Sequence, residues 1–190
     1  MNKTGTSLAL LAVLGSVFLI SGMSRDGAAT RYLHVRVANP ARHELVRINV
    51  PLSVAETIIP AINDGRLRDG KVRIEDLRPN VNIRAIVDAL KTIREGELVT
   101  VEDARENIRV AKERGQLVVH VKDQNGRESV EVTIPWEAAE ALVRDADQNQ
   151  LDIAAGIKAL ENAGDTTLVR VSDRDEQVRV WVDSRNSDGD

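Results

Sequence analysis

The chain has 190 residues, no cysteine, 29% charged residues and a formal net charge of −4. The missing cysteines exclude a disulfide framework, thiol catalysis, thiolate metal sites and a lipid-bearing cysteine. Acidic and basic residues are interspersed, so there is no basic stripe of the kind a nucleic-acid footprint needs. Tyr32, Trp136 and Trp181, the three aromatics outside the N-terminal run, offer no stacking platform for bases.

The N-terminus carries Lys3 and then an uncharged apolar run from Ser7 to Ile20. This is the pattern of an export signal, with small residues near Gly22–Ser24 or Gly27–Ala29 for a peptidase. An uncleaved membrane anchor is the alternative, since 20 uncharged residues from Thr4 to Met23 can cross a bilayer core. Both readings, over 1–29, place the body of the protein outside the cytoplasm, either periplasmic or secreted, or anchored in the inner membrane. Contact with a membrane is then expected only through this segment.

From residue 31 onward the pattern is period two. Leu33, Val35 and Val37 alternate with His34 and Arg36, then Val46, Ile48 and Val50 with Arg47 and Asn49, which predicts two half-buried strands. Pro51 ends the hairpin. Ser53 and Glu56 have capping-box spacing for a helix with Val54, Ile58, Ile59 and Ile62 on one face, shortened by Pro60. Asn82 suits the N-cap of a second helix carrying Ile83, Ile86, Val87 and Leu90, with Arg84 and Asp88 paired at i, i+4. A closing hairpin is predicted from 98–102 and 107–111.

Residues 117–180 then repeat 33–110. LHVRV at 33–37 matches LVVHV at 117–121, and ELVRINVPLSVAE at 44–56 matches ESVEVTIPWEAAE at 128–140, at an offset of 84. Residues 83–110 match 153–180 at an offset of 70, and 19 of the 46 compared positions are identical. The first copy has 14 more residues between its matching blocks. The fold expected is therefore α+β: an internal duplication of a ββααββ module, with antiparallel sheets and helices packed on one face. The modules span 31–113 and 116–185, with 186–190 a disordered tail. A unit of 70–80 residues is marginal alone. The short Glu113–Gly115 link lets the strand at 107–111 continue into that at 117–121, so the copies are expected to share a sheet or pack together.

Chemistry is thinly represented. His34 and His120 are expected on outward strand faces and His43 in a turn, all exposed and without convergent ligands for a metal. Asp145, Asp147 and Asn149 alternate as calcium ligands do, but Gln150 stands where the loop needs glycine, so an acidic interhelix loop capping a helix through Asp152 is the better account. The carboxylates at 102–103 and 173–176 lie in surface turns, where acid–base tuning is rare. No catalytic residue, cofactor or metal ligand is assigned. Two features break the repeat and mark a candidate interaction surface: Arg66, Arg68 and Lys71 in the extra segment, and Arg179 with Trp181, where the first copy has Ala111. Trp181 is read either as cover for the helix layer or as a contact surface.

The string LHVRV…ELVRINVPLSVAE, followed by NIRAIVDAL and GELVTVEDARENIRV, resembles the sheet-and-helix module of YvlB/LiaX-type bacterial envelope-stress proteins. The whole chain is similar to exported bacterial proteins carrying two such modules. It differs from the stress proteins in its N-terminal apolar segment and in lacking a separate N-terminal helical segment. The resemblance implies envelope association without enzymatic activity and supplies no catalytic residues. The expected function is a non-catalytic exported protein whose duplicated module binds a protein or envelope component, or itself as a homo-oligomer. The alternative is a calcium- or ligand-dependent extracytoplasmic sensor using loop 145–152 or 63–71.

Overall fold

The computed structural model describes residues 30–63, 67–73, 83–102, 106–145, 147 and 150–186. The N-terminal segment 1–29, Asn82 and Arg66 lie outside them. Strands dominate an α+β architecture. In chain order the elements are β1 (Tyr32–Asn39), β2 (Glu44–Pro51), α1 (Leu52–Ile58), β3 (Leu67–Arg68), β4 (Lys71–Arg73), α2 (Ile83–Lys91), β5 (Gly96–Glu102) and β6 (Glu106–Glu113). They continue with β7 (Gln116–Asp123), β8 (Ser129–Pro135), α3 (Trp136–Arg144), β9 (Gln150–Asp152), α4 (Ile153–Leu160), β10 (Thr166–Ser172) and β11 (Gln177–Asp183).

Eight strands form one antiparallel sheet in the order β2-β1-β11-β10-β8-β7-β6-β5. The alternation seen in the sequence becomes two unbroken aliphatic rows, one residue per strand. The first runs Val46, Val37, Val178, Val171, Val130, Val121, Ile108, Val101; the second runs Ile48, Val35, Val180, Val169, Val132, Val119, Val110, Val99. The helices pack on this aliphatic face. Leu33, Leu168 and Val182 of the sheet meet Leu52, Ala55, Ile59, Ala138, Ile157 and Leu160 in the main core.

The strands of the two repeats are not arranged as two self-contained modules. The second repeat is contiguous as β11-β10-β8-β7, whereas the first is split, with β2-β1 at one end of the sheet and β6-β5 at the other. The helices follow suit. α1 packs on α4, α4 on α3 and α3 on α2, so α1 and α2 stand at opposite ends of the row. The matched residues Glu56 of α1 and Glu140 of α3 each receive a lysine from the other repeat, Lys158 at 3.1 Å and Lys91 at 3.0 Å.

Chain length explains the split. In the second repeat a connection of eight residues joins α3 to its neighbour α4. In the first, the 14 additional residues bridge helices separated by two others. Part of that connection is built: Leu67-Arg68 and Lys71–Arg73 form a hairpin around Asp69 and Gly70, both at positive φ, the two-residue turn that Asp-Gly favours. The hairpin pairs with β9 and docks on α4. The Gly70 carbonyl accepts from Ile153 N at 2.9 Å and Ala154 N at 3.3 Å, beside Asp152, whose side chain caps Ala155 N at 2.9 Å. A side chain at Gly70 would meet Ala154 Cβ at 2.9 Å, so only glycine allows this approach.

Several local expectations hold and others change. The β6–β7 hairpin forms across Arg114 and Gly115, both at positive φ. Arg84 and Asp88 pair at 3.9 Å. The capping box does not form, because α1 starts at Leu52, directly after Pro51, with Ser53 already inside the helix. Its first N–H is satisfied at a distance instead, Leu52 N donating to Arg31 O at 2.8 Å, and the matched Trp136 N donates to Gly115 O at 2.9 Å. Starting there also moves the buried face to Leu52, Ala55 and Ile59.

Candidate functional site

The face of the sheet away from the helices carries the polar alternates, and one cluster there is buried. His34 is paired across strands with Trp181, in β1 and β11. Their rings stack with centroids 4.8 Å apart and planes 7° from parallel. Asp183, two residues on and on the same face, accepts from both, with His34 Nε2 at 3.1 Å and Trp181 Nε1 at 3.2 Å. Arg185 closes the group through its N–H at 2.8 Å and its guanidinium at 3.4 Å from the same carboxylate. The Arg179 guanidinium lies 4.6 Å from the Trp181 ring centre.

His34 is therefore 0% exposed, contrary to the exposed histidine expected of an outward position. Outward is not the same as solvated: Trp181 roofs the imidazole, and Asn49 and Asn186 join beside it at 3.1 Å. Trp181 is itself 5% exposed. It neither covers the helix layer nor stands as an open surface; it covers His34. Exchanging the repeats turns this pair into Val118 of the second copy with Ala111 of the first, both buried and apolar.

Burial, the largest single influence on Asp183, pushes its carboxyl up. The Arg185 N–H, His34 and the Arg185 guanidinium together outweigh this and hold it below the ordinary value of 3.8. A carboxyl lowered on folding stabilises the fold above its unfolded value, and that stability is lost as pH falls through the lowered value. The melting temperature of the native protein is thus expected to exceed that of Asp183→Asn at neutral pH, with the gap closing as the pH falls below about 4. A gap that does not change with pH would contradict the ionised Asp183.

Chemically, the cluster is a clamp. The imidazole is enclosed, its Nε2 is engaged by the carboxylate, and its face is covered by indole, so it has no approach for a substrate. A general base must reach the proton it removes.

The other singled-out residues fall into two places. Arg68 is exposed at the β3–β4 hairpin, and Lys71 opposite it donates to the Asp145 carbonyl at 2.8 Å. That hairpin lies on the helix side, with Leu67 in the core, whereas Arg179 and Trp181 lie on the opposite face of the sheet. The candidate residues therefore do not form one surface. Of the 145–152 loop, Asp152 is spent on its helix cap and Gln150–Asp152 on pairing with β4. Among the described residues no group of three or more His, Asp or Glu could hold a metal ion. His43 is exposed in a left-handed conformation closing a 3-10 turn.

His120, half-buried, is 3.5 Å from Glu131. It lines a shallow polar depression with Asn107, Arg109, Lys122, Asp123 and Gln124. Two of its charges are already used: Arg109 binds Glu113, and Asp123 accepts from the N–H groups of Arg127 and Glu128. The Glu128 N–H is the main reason the Asp123 carboxyl lies below its usual range.

Residues 31–111 match the family model described as the YvlB-like protein, C-terminal domain. The resemblance to YvlB-type proteins is thereby shown over the segment whose hairpins β1–β2 and β5–β6 stand at the two ends of the eight-stranded sheet. Neither the curated proteins nor the solved structures include a match to this chain. Among the described residues no helix is long and apolar enough to cross a membrane.

Proposed function

We propose that this protein is a non-catalytic interaction protein of the cell envelope, built from two copies of a ββααββ unit and displayed outside the cytoplasm by way of its N-terminal apolar segment. One observation carries this reading: among the described residues, the buried polar cluster of His34, Trp181 and Asp183 has no counterpart. Val118 and Ala111 stand at the places that match His34 and Trp181, while the matched carboxylates Glu56 and Glu140 are used in ion pairs with Lys158 and Lys91. Selection for chemistry in a duplicated unit would leave the same buried titratable group in both copies. The YvlB-like match over 31–111 supports an envelope role, and the Lys3-led apolar run supports display beyond the membrane.

Crosslinking of the full-length protein in its native cell, followed by identification of the attached species, tests the proposal. Recovery of one envelope component or of the protein itself, unchanged by His34→Val, is the expected result. Recovery of cytoplasmic species alone would reject it.

A further inference from the structure

The eight-stranded order hides a symmetry with one member missing. Exchanging the repeats turns β1–β2 into β7–β8, β5–β6 into β10–β11, and β1–β11 into β6–β7; every one of these pairings is present. The remaining pairing, β8–β10, joins Val169 to Val132, Arg170 to Glu131, Val171 to Val130 and Ser172 to Ser129. Its counterpart would be β2–β5, with Val99 opposite Ile48, Thr100 opposite Arg47, Val101 opposite Val46 and Glu102 opposite Leu45. Those two strands are instead the two ends of the sheet.

The missing pairing coincides with four of the five large apolar side chains exposed among the described residues, the fifth being Ile93 just after α2. Leu45 and Val46 are each 49% exposed, Val99 and Val101 each 44%, and all four fall within the four absent pairs. The corresponding Ser129, Val130, Val169 and Val171 are partly buried, at the β8–β10 junction. Exposed hydrophobic edge strands are usually blunted by lysine, proline or a bulge. Here β5 does carry a bulge, between Glu97 and Val99, but β10 carries one at the matching place, between Thr167 and Val169, and still pairs with β8.

We infer that β2 of one copy of this protein pairs antiparallel with β5 of a second copy, reproducing the β8–β10 junction between molecules. This rests on the interaction reading above and names the partner as the chain itself. The register is specified, because a one-residue slip would send Val46 and Ile48 to the face opposite Val99 and Val101. No like charges oppose one another in the four pairs. The aliphatic rows of the two molecules run on across the junction. A second molecule fits better than closure within one chain, since β2 and β5 are seven strand spacings apart, about 34 Å along the sheet. Each union leaves one β2 and one β5 edge open, so growth is head to tail, into a ring or a chain.

The chain has no cysteine, which makes the test direct. Val46→Cys and Val101→Cys are prepared as separate full-length proteins, mixed and oxidised. Directly opposed residues in an antiparallel pair lie about 4.5–5.5 Å apart at Cα, within disulfide range. Val46–Val101 heterodimers are expected to exceed either homodimer at least tenfold, and Val101→Lys is expected to abolish the concentration-dependent oligomers of the native protein while its melting curve stays cooperative. Equal homodimer yields, or a disulfide formed solely within monomers of the Val46→Cys/Val101→Cys double variant, would overturn the inference, as would a native protein that is monomeric at every concentration. A monomer that still captures an envelope component would overturn this inference and leave the interaction reading standing.

Discussion

Replacing His34 with alanine is expected to destabilise the protein by about 3 kcal/mol, a large share of a typical domain's stability. Two mechanisms add. The ring lies under Trp181 with no solvent exposure, so its removal leaves a void beneath the indole. Asp183 also loses one partner of a buried, ionised carboxylate, and such losses cost more than the interaction itself contributes. His34→Val, which installs the residue type of the matched Val118, refills most of the void and leaves only the second cost. Urea unfolding of the native protein, His34→Ala, His34→Val and His34→Ala/Asp183→Asn separates the two. The double variant is expected to fall short of the sum of its singles by about 1–3 kcal/mol, as for residues in one hydrogen-bonded network. Strict additivity would show that His34 and Asp183 do not act together.

Removing residues 63–76 is expected to destroy the eight-strand order. The deletion leaves seven residues between Ala61 and Ile83, with a reach of at most about 25 Å. Crossing from α1 past α4 and α3 to α2 takes three helix spacings of about 8–10 Å each, before any allowance for the path around side chains. The shortened first repeat can then assemble only beside itself, as β6-β5-β2-β1, and β1 leaves β11. A disulfide between Val37→Cys and Val178→Cys, which are directly paired in the native register, reports this. It is expected to form in the full-length chain and to be lost in the deletion. Leu67→Ala serves as the control: it removes a core side chain that is 3% exposed, lowering stability but leaving the disulfide in place. A deletion variant that still crosslinks would show that the extra residues do not set the strand order.

The local structure was legible because it rests on periodicity. The strands around Val35, Ile48, Val119 and Val132 follow from alternation, and the cap at Asp152 follows from side-chain chemistry next to an apolar helix. The strand order was not legible, because a repeat reads as a unit and nothing in Leu45 or Val99 states which neighbour it has. The clue was the 14-residue excess, whose meaning is reach and not merely length. Within it, Asp69-Gly70 between Leu67-Arg68 and Lys71-Val72 carried a hairpin signal. The His34 cluster was hidden for the same reason. Its burial depends on β1 lying beside β11, a contact 149 residues long in sequence.

That adjacency dictates when the molecule can finish folding. β1 is the first strand described and β11 the last, and each supplies the other's missing edge. As the chain is made, the β1–β2 hairpin has to wait for nearly all that follows before its inner edge is covered, and loop closure over such a distance makes assembly slow. Clipping the chain before Gln177 would leave every earlier element in place yet remove β11, the strand that joins β1 to β10, so the sheet cannot be completed until the last described strand has been made.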